Sequence, residues 1–158
     1  MLRIIGLTIA ILALALAIAS GVVYVTGPVN DTALGPDGLV VNGVFLAIIM
    51  GLPAIVALVS LAGYLPLSGP RAWALAISAT VLATDGVFAI VIFRLRDSWD
   101  GVILLYEGEG QPISTRALDW LHHLSQLGWC VLLAGLAELA VCAAMLAVRS
   151  RRSRVASG

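Results

Sequence analysis

The sequence predicts an all-α membrane protein in which four transmembrane helices form an up-down bundle, and two observations carry this prediction. Hydrophobic residues make up 61% of the 158 positions and charged residues only 11%, whereas soluble domains average about 50% and 25%. The apolar residues also gather in four runs, each at or above the ~20 residues that cross a bilayer as a helix. We therefore expect one transmembrane domain over residues 1–158, surrounded by the lipid bilayer.

The first two runs, residues 4–26 and 39–65, are separated by a turn-rich loop at residues 27–38. The start of the first run, after Arg3, is similar to a secretory signal peptide. Its apolar character continues beyond the apolar core of such a peptide, so we expect the span to be retained. The second run contains Pro53, which removes one backbone hydrogen bond, and a kink is expected near its middle.

The last two runs, residues 73–93 and 127–148, are joined by a longer connection at residues 94–118 that is rich in acidic residues and glycine. Helical periodicity begins at Ala117 and continues directly into the fourth run. We therefore expect an amphipathic extension that leads into the fourth transmembrane helix. A basic tail, residues 149–158, closes the chain.

The distribution of arginine predicts how the protein is oriented. Four spans place both termini on one side, and six of the nine arginines lie on that side. The positive-inside rule makes the termini cytoplasmic. Nine arginines without a lysine suggest a GC-rich bacterial genome, so we expect a multi-pass protein of a bacterial plasma membrane. The net charge of zero gives no electrostatic support for a nucleic-acid partner.

Small residues recur at helical spacing on the first two runs. Small side chains let two helices approach closely in a membrane. We expect the two small-residue faces to pack against each other, although alanine is common enough in this chain to produce such a pattern by chance. The residues of the first face are Gly6, Ala10, Ala13, Ala17 and Gly21, and those of the second face are Gly43, Ala47 and Gly51.

Two carboxyl side chains, Asp85 and Glu138, fall inside apolar runs. An ionisable residue within a transmembrane helix costs about 3 kcal/mol or more, which makes each a functional hypothesis. At 1.5 Å per residue, Asp85 lies about 18 Å from Trp73 and Glu138 about 15 Å from Val148. Because consecutive helices are usually neighbours, we expect the two acids to face each other near the middle of the bilayer.

Three arrangements remain open for these acids. Two carboxyl groups in contact can share a proton, which would suit a proton relay or a cation site. Each can instead be protonated and hydrogen-bonded locally, with Ser78, Thr80 and Thr84 as candidate partners. In the third arrangement, an acid meets a basic residue of another subunit, because this chain has no arginine, lysine or histidine at that depth.

Trp120, His122 and His123 form a possible interfacial site on the amphipathic segment, where they could border a quinone or a lipid headgroup. Exposed polar residues on such a segment explain the same residues. Adjacent helical residues point about 100° apart, so the two histidines do not readily bind one metal, and no metal or cofactor site is predicted. No Gly-x-Ser-x-Gly or His-Glu-x-x-His motif occurs, which disfavours an enzyme.

These observations favour a small accessory subunit that packs against a larger bacterial membrane complex of the respiratory or transport type and stabilises or regulates it. The small-residue faces, the unpaired acids and an acidic loop all suit docking. The first alternative is a small proton- or cation-linked transporter or channel that works as a homo-oligomer through Asp85 and Glu138. The second is a quinone- or lipid-interacting interfacial protein.

Overall fold

The computed structural model describes residues 1–27, 35–62, 69–98 and 115–156, and these residues form four α-helices without a strand. The helices are α1 (Leu2–Val25), α2 (Gly35–Ala62), α3 (Pro70–Ser98) and α4 (Thr115–Ala156). All four are long and apolar enough to cross a membrane. The chain is therefore a multi-pass membrane protein with its apolar helices in contact with lipid, and the predicted four-helix fold class is confirmed.

The membrane-spanning segments are Leu2–Val25, Pro36–Ala62, Pro70–Phe93 and Leu118–Arg151. Most helix ends differ from the predicted boundaries by a few residues, and three differences are larger. Residues 35–38, expected in a loop, begin α2, and α3 continues beyond residue 93 to Ser98. The amphipathic segment, the fourth span and the start of the basic tail form one 42-residue helix, because no proline interrupts this segment. Residues 28–34 and 99–114 of the predicted loops lie outside the described residues, as do residues 63–65 and 157–158.

Helix α2 continues through Pro53 without a break. Proline is tolerated inside membrane helices when the neighbouring helices compensate for the lost hydrogen bond, and the kink itself stays a prediction. Helix α3 starts after Gly69, whose φ of 50° lies in the left-handed region. That backbone conformation favours glycine because a β-carbon would clash there.

The four helices form two hairpins. Helix α3 packs extensively on α4, and α1 on α2, whereas α2 and α3 share the smallest of the four main contacts. Helix α1 also contacts α4, so it joins the hairpins. Gly6 lies against Leu61 and Val141 at one end of the bundle, called the terminal end because both chain termini lie there, and Gly27 lies against Trp120 at the opposite end, called the loop end.

The hydrophobic core extends through the bundle in two clusters of buried side chains. The cluster towards the loop end includes Leu82, Leu124 and Val131. The cluster towards the terminal end includes Leu61 and Leu75. Both clusters also contain buried alanines, among them Ala13 and Ala17 in the first and Ala10 and Ala57 in the second, and such small residues let membrane helices approach closely.

Helices α3 and α4 touch through their backbones at glycines. A β-carbon on Gly86 would clash with the backbone nitrogen of Leu132, and a β-carbon on Gly135 would lie 2.5 Å from the nitrogen of Ala83. Gly128 completes this contact, since its β-carbon would lie 3.0 Å from that of Ala89. The sequence analysis did not single out these three glycines, and their spacing across two helices became visible only in the packed bundle.

Helices α1 and α2 approach each other at the small residues. A β-carbon on Gly21 would lie 2.7 Å from the Ala47 β-carbon and 2.7 Å from the Gly43 carbonyl oxygen. Gly51 has more room, with the nearest side-chain atom, of Leu14, at 3.5 Å. The other small residues of the first face are buried, and they are Gly6, Ala10, Ala13 and Ala17. That face serves two neighbours, because Gly6 also meets Val141 of α4.

Candidate functional site

Asp85 occupies the part of α3 that is nearer the loop end. It precedes Phe93, the last residue of the span, by eight positions, which corresponds to about 12 Å of helix. Its side chain is partly exposed. One carboxyl oxygen, Oδ2, is buried and has no hydrogen-bond partner among the described residues. A carboxyl oxygen without a hydrogen-bond partner is costly at this depth.

Asp85 lines a cleft of about 160 Å³ between α1, α2 and α3, called here the Asp85 cleft. The cleft opens sideways, where lipid surrounds the bundle, because Phe45 and Phe88 at its rim are 62% and 64% exposed. Besides the carboxyl group it offers one amide and three aromatic rings. Its lining residues are Tyr24, Asn42, Phe45, Leu46, Ile49, Met50, Asp85 and Phe88.

A second, larger cleft of about 390 Å³ continues from the Asp85 cleft towards the terminal end and is called here the apolar groove. Both clefts border Ile49 and lie along α2 and α3, and together they are called here the lateral groove. Pro53 lies on the floor of the apolar groove, which follows the interface with the least helix–helix contact. Its lining residues are Ile49, Leu52, Pro53, Val56, Ala74, Ile77, Ser78 and Val81.

Glu138 has a different environment, because it is sealed inside the bundle. Its side chain is 1% exposed, and neither carboxyl oxygen has a hydrogen-bond partner among the described residues. It lies one turn after Gly135, on the helix that packs most closely against α3. A carboxyl group in such a position is out of reach of lipid, water and any neighbouring protein.

The register of α3 and α4 separates the two acids along the bundle axis. Gly86, next to Asp85, packs against Leu132, while Gly135, one turn before Glu138, packs against α3 nearer the terminal end. This register sets Asp85 level with Leu133 and offsets it from Glu138 by five residues, or about 8 Å of helix. Depths counted from the ends of apolar runs do not reveal the register that the glycines impose, and the expectation that the two acids face each other stays a prediction.

The three hydroxyl groups proposed as local partners are engaged with their own helix. Ser78 donates to the Leu75 carbonyl oxygen, Thr80 to that of Ala76, and Thr84 to that of Thr80, each at 2.9 Å. Such bonds to the preceding turn are the usual way for a hydroxyl to be satisfied inside a helix. Their hydrogens are therefore not available to either acid, and the local arrangement is not observed.

Trp120 belongs to the core at the loop end. Its Nε1 donates a hydrogen bond to the Val23 carbonyl oxygen at 2.8 Å, and its ring meets the Tyr24 ring edge-on, with 5.2 Å between centroids. The side chain is buried. The indole therefore fastens the start of α4 to the end of α1, where the last carbonyl groups of a helix lack partners within the helix.

His122 and His123 point away from Trp120 and are exposed. Their ring centroids lie 6.5 Å apart, and Nε2 of His122 lies 2.9 Å from Nε2 of Gln126. The predicted interfacial site is therefore divided between a buried indole and two exposed imidazoles. Within the described parts of the chain, no three histidine, cysteine or acidic side chains gather as a metal site would require.

The residues that surround Asp85 were not predicted from the sequence. Asn42, Phe45 and Ile49 follow one another at spacings of three and four on α2, and Phe88 follows Asp85 by three on α3. This spacing places each set on one helix face. A search for polar and aromatic residues on the same face of each apolar run would have found both sets. It would not have shown that the two sets lie next to each other in the bundle.

Comparison with known proteins gives no relative: no family model, curated protein or solved structure matches the chain. The function is therefore inferred from the placement of the described residues. Two features dominate that placement, namely a carboxyl group in a groove that opens to the lipid, one of whose oxygens has no partner among the described residues, and a second carboxyl group sealed in the core.

Proposed function

We propose that the protein is a small integral membrane accessory subunit, which packs against a larger membrane complex through its lateral groove and stabilises or regulates that complex. The observation that carries this proposal is the position of Asp85 in a cleft that opens sideways, with its Oδ2 buried and without a hydrogen-bond partner among the described residues. A carboxyl group in a membrane is costly until a partner compensates it. A basic side chain on a transmembrane helix of the complex would be such a partner.

A second copy of this chain is a poor source of that basic group. The chain has no lysine, and the arginine closest to Asp85 in sequence is Arg94, nine residues or about 14 Å along α3. Copies related by an axis normal to the membrane place equal residues at equal depths. Because every arginine lies at or beyond the end of an apolar run, the charge pattern favours a different protein over a homo-oligomer.

Transport through the bundle has less support. Glu138 is sealed, it is offset from Asp85 by about 8 Å along the bundle axis, and the nearby hydroxyl groups are engaged with their own helix. A proton or cation path needs consecutive polar groups across the membrane. The described residues provide no such series between the two acids, so the lateral groove is the better guide to function.

The proposed cellular setting is a bacterial plasma membrane, with both termini in the cytoplasm and a complex of the respiratory or transport type as partner. The unequal distribution of arginine supports this orientation. In that orientation the lateral groove carries Asp85 in the half of the bilayer facing away from the cytoplasm. The basic group of the partner is then expected in the same half.

Co-purification tests the proposal. The tagged full-length chain is extracted from its own membranes in a mild detergent, and its partners are identified and quantified by mass spectrometry. We expect one larger membrane protein at a fixed stoichiometry with the wild-type chain. The Asp85→Asn variant should retain clearly less of it, down to about a tenth, because loss of one charge-assisted contact in a membrane weakens binding by on the order of tenfold.

Asp37→Asn is the matched control, since it makes the same chemical change at an exposed residue in the first turn of α2. This variant should keep the partner at the wild-type stoichiometry. Circular dichroism of both variants verifies that the helices are intact. A pure homo-oligomer without a larger partner, or a partner retained equally by Asp85→Asn, would contradict the proposed function.

A further inference from the structure

We infer that the group entering the lateral groove is a lysine of a transmembrane helix in the partner, an inference that rests on the proposed function. The lysine ammonium group occupies the Asp85 cleft, and apolar side chains of the same helix fill the apolar groove. The chemistry of the cleft, its depth in the bundle and the continuity of the two clefts each lead to this assignment.

The lining of the Asp85 cleft suits an ammonium group better than a guanidinium group. Its polar side chains are a carboxyl (Asp85), an amide (Asn42) and a phenol (Tyr24). An ammonium group has three donors, whereas the five donors of arginine outnumber the acceptor groups, and unpaired donors are costly in apolar surroundings. The rings of Phe45 and Phe88 add faces on which a cation is stabilised.

The depth of Asp85 favours a protein over a lipid. About 12 Å of helix separates this residue from Phe93 at the end of the span. The amine of a lipid belongs to the headgroup region, and moving it so far into hydrocarbon would be costly. A lysine carried on a transmembrane helix is brought to that depth when the helix inserts, so only its final approach to Asp85 remains.

The shape of the lateral groove predicts a pattern in the partner. The groove extends from Asn42 to Val56 along α2, which corresponds to about 21 Å. A helix lying in it presents one face, at spacings of three or four residues. We therefore expect a lysine about eight residues from the loop-end boundary of the partner's span, with large apolar residues four and seven positions further towards the terminal end.

Host peptides of defined sequence test the lysine without knowledge of the partner. The full-length chain, labelled with a fluorescent donor at the exposed Cys130, is reconstituted in phosphatidylcholine vesicles. A leucine–alanine transmembrane peptide with an acceptor label carries Lys, Arg or Met about eight residues from one end. Energy transfer at increasing peptide density should show that the Lys peptide binds on the order of tenfold more tightly than the Met peptide. The affinity of the Arg peptide should be close to that of the Met peptide.

Two variants locate the binding in the groove. Asp85→Asn should abolish the preference for the Lys peptide, while Asp37→Asn should leave it unchanged. Ala74→Leu, which narrows the apolar groove, should weaken all three peptides about equally, because it removes space without removing the acid. Helix content from circular dichroism verifies that each variant is folded, so that a loss of binding is not a loss of structure.

The possible results separate this inference from the proposed function. Equal binding of the Lys and Arg peptides, lost in Asp85→Asn, would overturn the lysine assignment and leave the accessory role intact. A Lys preference that survives Asp85→Asn would overturn the location in the cleft. Dodecylamine that binds in an Asp85-dependent manner, while the Lys peptide does not bind, would identify a site for amphiphiles. Asp85-dependent energy transfer between two labelled copies of the chain would identify a site of self-association. Either result would overturn the inference.

Discussion

Helix α3 takes part in two interfaces that differ in almost every respect. On its α4 side, Gly86 and Gly135 remove side chains from the contact and let the two backbones touch. On its α2 side, branched residues such as Ile77 and Val81 line the apolar groove of about 390 Å³, and Asp85 lines the neighbouring cleft with one oxygen lacking a partner among the described residues. One side of the same helix is closed and the other is open.

The difference teaches which side holds the fold together and which is available to another molecule. Close backbone approach through small residues is a strong source of helix association in membranes, where no hydrophobic effect drives helices together. Branched side chains on both α2 and α3 prevent such an approach. We therefore expect substitutions in the closed interface to alter stability and substitutions in the open groove to alter binding.

The largest change in unfolding free energy is expected from Gly86→Val, which forces the closed interface apart. The new side chain would collide with the backbone of Leu132, and backbone atoms cannot move aside without shifting α4. Overpacking of this kind costs on the order of 3 kcal/mol of unfolding free energy. Unfolding in mixed micelles of increasing SDS content, followed by circular dichroism, measures it.

Gly51→Ala is the matched control for steric bulk, since its added β-carbon would meet only the Leu14 and Ala17 side chains at ordinary contact distances. The unfolding free energy of this variant should stay within about 0.5 kcal/mol of the wild-type value or rise, because alanine favours the helix. Equal losses in Gly86→Val and Gly51→Ala would show that the closed interface has no special role.

Glu138→Met, on the closed side, is expected to change the unfolding free energy less than Gly86→Val does and in the opposite direction. The carboxyl group is buried without a hydrogen-bond partner among the described residues, so its desolvation is uncompensated by them. An apolar side chain of similar length removes that penalty, and the unfolding free energy should rise by about 1–2 kcal/mol. The same SDS titration measures the rise. A marked fall would reveal a stabilising role for Glu138 and weaken the contrast with Asp85.

The smallest effect on stability is expected from Ala74→Leu in the open groove. The larger side chain enters a space that is already present, so the unfolding free energy should change by less than about 0.5 kcal/mol. The same substitution should weaken the binding of a transmembrane partner. A loss of stability comparable to that of Gly86→Val would mean that the bundle closes over the groove in the folded protein.

Sequence reasoning reached the spans but not the contacts between helices. The apolar runs predicted four spanning helices because hydrocarbon excludes any segment whose backbone is not internally hydrogen-bonded. The register between α3 and α4 could not be predicted, because a shift of one helix along another leaves the residue pattern of each unchanged. The partners of Trp120 were out of reach as well, since Val23 lies 97 residues away in the chain.

By itself, the sequence determined the all-helical class and the number of spans, because composition and run length depend only on the solvent that the helices must match. Only the tertiary structure decided that Asp85 borders a groove while Glu138 is enclosed, since both are single acids in apolar runs. Which face of a helix is covered depends on how side chains and glycines of different helices fit together, and that fit is a property of the packed bundle.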